Sequence, residues 1–133
     1  MSPGRRRLPE HLEGPARAFD DLLRPLGAAE AALTASVPGT RLPGRPLAET
    51  LSEFEEGLRE VRDGMDAWRS PDIEPEWEAC SRGLDEALAL ADRVRTEGAQ
   101  PEAFEGLIGL IGDLLAPLDP FRGASERFRE LRG

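Results

Sequence analysis

The chain has no lysine and no tyrosine, a single cysteine, a single histidine and two tryptophans. Each scarcity removes a class of function. Cys80 has no second cysteine to pair with, which excludes an intramolecular disulfide and fits a reducing compartment. With no histidine at ligand spacing, it cannot anchor a zinc site either. His11 lies in the N-terminal stretch, so neither a Cys–His nor a Ser–His couple can be assembled. The Glu-x-x-His pairs that di-iron bundles take from two helices are missing too. Aromatic residues make up 5% of the chain, too few for a platform on which single-stranded nucleic acid could stack. The sequence therefore offers no catalytic residues, no metal ligands and no cofactor site, which argues against an enzyme without deciding the question.

Positive charge is also scarce. Acidic residues outnumber basic ones 26 to 17, and the net charge of −9 argues against nucleic acid and anionic membrane surfaces as partners. Every basic residue is arginine. Arg5, Arg6 and Arg7 crowd the N-terminus, and Arg122, Arg127, Arg129 and Arg132 lie near the C-terminus, so an acidic body carries basic ends. Long apolar runs are absent as well. The most apolar stretch, Leu107 to Leu118, is interrupted by Asp113 and Pro117 and falls short of a bilayer span. No apolar segment follows the N-terminal arginines, so no signal peptide is expected and a cytoplasmic location is. The run from Gly106 to Gly112 is glycine-rich, but it lacks the Lys-Ser/Thr of a phosphate loop and no strand precedes it.

What is present is helical periodicity. Leu47, Leu51, Phe54, Leu58, Val61, Met65 and Trp68 step by 4, 3, 4, 3, 4 and 3, the seam of a helix packed along its length from Pro46 to Arg69. Thr50, Gly57 and Gly64 recur every seven residues beside that seam and predict one neighbouring helix at close range. Ser70-Pro71-Asp72 turns the chain, and Trp77, Cys80, Leu84, Ala87 or Leu88, Ala91 and Val94 continue in steps of 3 and 4. The pair reads as an antiparallel helical hairpin that Gly98 stops, with Trp68 and Trp77 at one end of it.

Upstream, residues 1–14 read as a flexible basic arm and Pro15 as a first helical position. Phe19, Leu22, Leu23, Leu26, Ala29 and Leu33 form the next seam, with Pro25 predicted to kink or split it. Pro38-Gly39 and Pro43-Gly44 mark a crossover that presents Arg41 and Arg45; a crossover is preferred here over an anion-binding loop. After Pro101, Phe104, Leu107, Ile108, Leu110, Ile111, Leu114, Leu115 and Leu118 cover nearly half a helical circumference, which predicts the most buried helix of the fold. Asp119-Pro120 caps and opens a short last helix with Phe121, Ala124, Phe128 and Leu131 inward. Asp21-Leu22-Leu23-Arg24-Pro25-Leu26 echoes Asp113-Leu114-Leu115-Ala116-Pro117-Leu118, as if two helices bent alike and lay together.

The expected fold is all-α: an antiparallel up-and-down four-helix bundle over residues 15–133, with a Pro-kinked first helix and a short C-terminal fifth helix. The expected function is a non-catalytic interaction or structural module that works through a helix face on a protein partner or on itself as a homodimer. Its candidate interface is the small-residue ridge Gly106, Gly109, Gly112 and Ala116, because glycines facing solvent on a helix cost roughly 1 kcal/mol each and need a reason. The alternative is a binding bundle for a small apolar ligand in the helix core, lined by Met65, Trp68, Trp77 and Ile111. One carboxylate, Glu30, falls beside Leu23, Leu26 and Leu33 on the helical wheel, where a raised pKa and a role are conceivable.

Overall fold

Seven apolar residues of the heptad seam, Leu47 through Trp68, are all buried, and Phe54, Leu58, Val61 and Trp68 have no exposed surface. The seam organises the rest of the chain. The computed structural model describes residues 8–39, 43–98 and 103–132, and among these there is helix and no strand. Five α-helices follow in order: α1 (Glu10–Thr34), α2 (Leu47–Asp63), α3 (Glu74–Glu97), α4 (Phe104–Leu115) and α5 (Pro120–Leu131). Short 3-10 turns at Met65–Trp68, Pro71–Ile73 and Ala116–Leu118 join them. No helix of the described residues is long and apolar enough to cross a membrane.

The small residues beside the α2 seam meet α1. A Cβ added at Gly57 would stand 2.7 Å from the Ala29 Cβ and 3.2 Å from the Pro25 carbonyl oxygen, so only glycine permits this approach. A Cβ at Gly64 would meet Leu22 Cδ2 at 2.5 Å, and Thr50 shares a hydrogen bond between hydroxyls with Ser36. Contacts at 36 with 50, 29 with 57 and 22 with 64 step by seven in opposite directions, so α1 and α2 run antiparallel. Gly64 also ends the α-helix, yet the seam continues into the 3-10 turn that carries Met65 and Trp68 inward.

The hairpin between α2 and α3 is equally legible in its contacts. Trp77 Nε1 donates to the Met65 carbonyl oxygen (2.8 Å), Arg62 pairs with Asp85, and Arg95 Nε donates to Glu55 Oε1 (3.1 Å). Falling numbers on one side meet rising numbers on the other. Gly98, at φ 65°, closes α3 in the left-handed conformation that glycine adopts without cost.

Several expectations need correcting. The first helix begins at Glu10, five residues ahead of Pro15, so residues 10–14 belong to the helix rather than to an arm, and Leu12 is 1% exposed. Residues 1–7 of the expected arm lie outside the described residues. His11 stands on the first turn of α1 and its Nε2–H donates to the Asp72 carboxylate (2.7 Å). Pro25 does not divide α1, which is assigned as one helix throughout; the buried Leu22 and Leu26 on either side of the proline hold it together. Asp119 makes no side-chain cap on α5.

The largest correction concerns α4. Only Ile111 and Leu114 of its residues are buried, while Phe104 is 57% and Ile108 43% exposed. The chain spends α5 where α4 was expected. Pro117 ends α4 in a 3-10 turn, and a Cβ on Gly83 of α3 would overlap the Pro117 carbonyl oxygen, so turn and helix touch backbone to backbone. Beyond the turn, α5 lays Phe121 and Phe128 against Phe19, with ring centroids 6.4 and 5.2 Å apart. Thus α3 packs more extensively on α5 and on the turn at Ala116–Leu118 than on α4. The echo between the two Leu-Leu-x-Pro-Leu stretches does not produce two alike bends: one proline lies inside a helix, the other ends one.

Candidate functional site

Three places were marked by the sequence, and they fare differently. Gly106, Gly109 and Gly112 are exposed on α4, and Ala116 is exposed at the start of the 3-10 turn that follows it. A Cβ added at Gly109 or Gly112 would have nothing within 4 Å, so nothing in the described chain lies against those two positions. Residues 104, 108 and 112 form one row at intervals of four on the helix surface, which Ala116 extends just past the helix end; its first half is large and apolar (Phe104, Ile108) and its second half small (Gly112, Ala116). Leu107, Leu110 and Leu115 flank the buried side and are half-buried.

Of the candidate pocket residues, Met65, Trp68 and Ile111 are buried and Trp77 is half-buried. Trp68 is enclosed by rings, edge-on to Phe19 at 4.9 Å and tilted against Phe128 at 6.1 Å. Among the described residues its indole N–H has no acceptor. Trp77 lies at the same end of the hairpin but holds its outer edge. Its N–H is spent on Met65, and the Arg69 guanidinium sits 4.1 Å over its ring. The two tryptophans do different work.

The third place is Glu30, which the structure puts in a cleft of about 540 Å³ where α1 faces the corner between α4 and α5. Leu23, Leu26, Leu115, Leu118 and Phe121 supply apolar walls, and Glu30, Asp119, Arg122 and Ser125 supply polar groups. Glu30 is where the helical wheel placed it, half-buried beside Leu23 and Leu26. Burial pushes its carboxyl above the ordinary value, and the positive charge of Arg122 partly opposes that rise. Both echoed stretches contribute here, since Leu23 and Leu115, and Leu26 and Leu118, are equivalent positions. Asp119, Arg122 and Ser125 come from far along the chain, and no local pattern marked them.

Other charged groups are engaged structurally. Glu55, 4% exposed, is held by Arg59 on its own helix (3.2 Å) and by Arg95 across from α3 (3.1 Å). Its position four after Leu51 and three before Leu58 signalled burial, and it went unmarked among the carboxylates. Arg45 is bound by both oxygens of Glu53 (2.7 and 2.9 Å), which lowers the Glu53 pKa and leaves this guanidinium facing a carboxylate rather than an anion site. Arg41 lies outside the described residues. The Cys80 thiol has no exposed surface, and burial, with Glu76 adding to it, pushes its pKa up to about 12, so it packs as a small apolar group.

Comparison with models of protein families, with curated proteins and with solved structures finds no match to this chain. Function has to be read from the site.

Proposed function

We propose that the chain is a non-catalytic interaction module, an antiparallel up-and-down four-helix bundle that pairs with a second copy of itself through α4. The observation that carries this reading is the exposed row Phe104, Ile108, Gly112 and Ala116, large in its first half and small in its second. When two such rows meet antiparallel about a two-fold axis that passes between Ile108 and Gly112, Phe104 of one copy lies over Ala116 of the other. Ile108 likewise lies over Gly112. Large meets small at every step, which is the self-complementarity that a two-fold interface requires. Rows at intervals of four are also those that interdigitate when helices pack ridge into groove. Removing an exposed Phe or Ile side chain from water contributes about 1.5–3 kcal/mol when burial is complete. The buried, protonated Cys80 thiol and the lack of any disulfide partner suit the reducing cytoplasm. The alternative of an apolar ligand in the core has less support, because Phe19 and Phe128 already pack against Trp68.

Native mass spectrometry of the protein and of its Gly112→Leu variant tests the proposal. The added side chain enters open space in a single copy, so the variant folds. In the pair it fills the hole that Ile108 needs. The expected result is a dimer for the parent and a monomer with unchanged helix content for the variant. A parent that stays monomeric at tens of micromolar, or a variant that dimerises as well as the parent, overturns it.

A further inference from the structure

The cleft beside Glu30 has the size and the chemistry of a ligand site that the pairing of α4 does not explain. Its volume of about 540 Å³ falls in the range of small-molecule pockets, on the order of 300–1,000 Å³. Five of its ten lining residues are large and apolar, which suits an occupant with an apolar body and a polar head. The polar groups decide the head. Arg122 has a nearer partner than Glu30: its Nη1 lies 3.8 Å from Asp119 Oδ1, an exposed contact beyond hydrogen-bond reach that leaves its charge acting across the cleft. Glu30 is different. Among the described residues no arginine or histidine nitrogen lies within 4 Å of its carboxylate, although it is half-buried among leucines. A half-buried carboxylate without a counter-ion gains from a cation far more than a solvated one does. The net charge of −9 favours the approach of a cation and disfavours that of an anion.

We propose that this cleft binds a small amphiphilic amine, with its apolar tail on Leu23, Leu26, Leu115, Leu118 and Phe121 and its ammonium group on the Glu30 carboxylate. Ser125 offers a hydroxyl oxygen as a further acceptor for an ammonium proton. The cleft shares Ala116 with the row proposed for self-pairing, but Glu30 lies outside that row, so replacing Glu30 leaves the row from Phe104 to Ala116 unchanged.

The test is a titration of the full chain with n-octylamine, sodium octanoate and 1-octanol, each followed through leucine methyl chemical shifts by NMR. Octylamine is expected to shift the methyl groups of the cleft leucines and to bind more tightly than the other two probes. Glu30→Gln, nearly isosteric and checked for helix content, should weaken octylamine by about tenfold or more, because a hydrogen bond to a charged group is lost, and leave octanol unchanged. Arg122→Gln should strengthen octylamine by removing a competing cation. Tighter binding of octanoate that Arg122→Gln abolishes would overturn the proposal in favour of an anion. Octylamine binding that Glu30→Gln does not change, or no shift with any probe, would overturn it outright. The oligomer masses above are read on a different residue, so the two ideas fail separately.

Discussion

Two helices of this protein carry small residues at regular intervals beside an apolar stripe, and only one of them is covered. On α2, Gly57 and Gly64 sit where Ala29 and Leu22 of α1 leave no space for a side chain. On α4, Gly109 and Gly112 face nothing within 4 Å among the described residues. The sequence signature is the same in both: a row of positions at which a neighbour could come close. Its presence in α2 is explained by a helix of the same chain. Among the described residues the α4 row has no such explanation, and the same logic points to a second molecule.

Breaking the covered row should have the largest effect. Gly57→Leu drives a side chain into Ala29 and the Pro25 carbonyl, both on a helix that cannot give way locally, and should cost about 1–3 kcal/mol or more. Chemical denaturation would show it as a lower midpoint, and an unchanged midpoint would mean that α1 is free to move away. Sharpening the contrast, Gly109→Ala should do the opposite and raise stability by roughly 1 kcal/mol, because alanine is the better helix former and its methyl group enters open space. The same denaturation experiment reads both, and a loss at Gly109 would mean that this face is covered after all.

The smallest effect separates a buried carboxylate from a half-buried one along the same divide. Glu55, on the covered side, has two arginines, whereas Glu30, on the open side, faces Asp119 and Arg122 across the cleft, with Arg122 too distant for a pair. Glu30 has a folded-state pKa above its ordinary 4.5, so its ionised form is disfavoured by folding. That penalty is absent below the ordinary value and complete above the raised one. Glu30→Gln should therefore be the more stable protein near neutral pH, by less than about 1 kcal/mol because solvent screens part of the effect. The difference should close as the pH falls below 4.5. Thermal melts of both proteins across that range provide the check, and a variant less stable at neutral pH would contradict the sign.

Much of the fold was legible because its signals are local. The heptad seam of α2, the small residues beside it, the turn at Ser70-Pro71 and the stop at Gly98 each depend on residues a few positions apart, and each is found as expected. The position of Glu30 followed from the same wheel. Burial of α4 did not follow, since a wide apolar arc says that a helix can be buried but not which partner buries it. Phe121 and Phe128 competed for the same core and took the place beside Phe19. Nor could Pro25 and Pro117 be told apart, because what each does depends on packing beyond its own turn. The far wall of the cleft, Asp119 to Ser125, meets Glu30 only through the tertiary fold.

The different settings of the two tryptophans make the molecule its own reporter. Trp68 is dry and ringed by phenylalanines, while Trp77 is partly wet and capped by a guanidinium. An indole emits at shorter wavelength as water is removed from around it, so the protein's fluorescence is the sum of a blue component from the centre and a redder one from the rim. With no tyrosine to add signal or pass energy to either, unfolding of the core and loosening of the hairpin end write to separate parts of one spectrum.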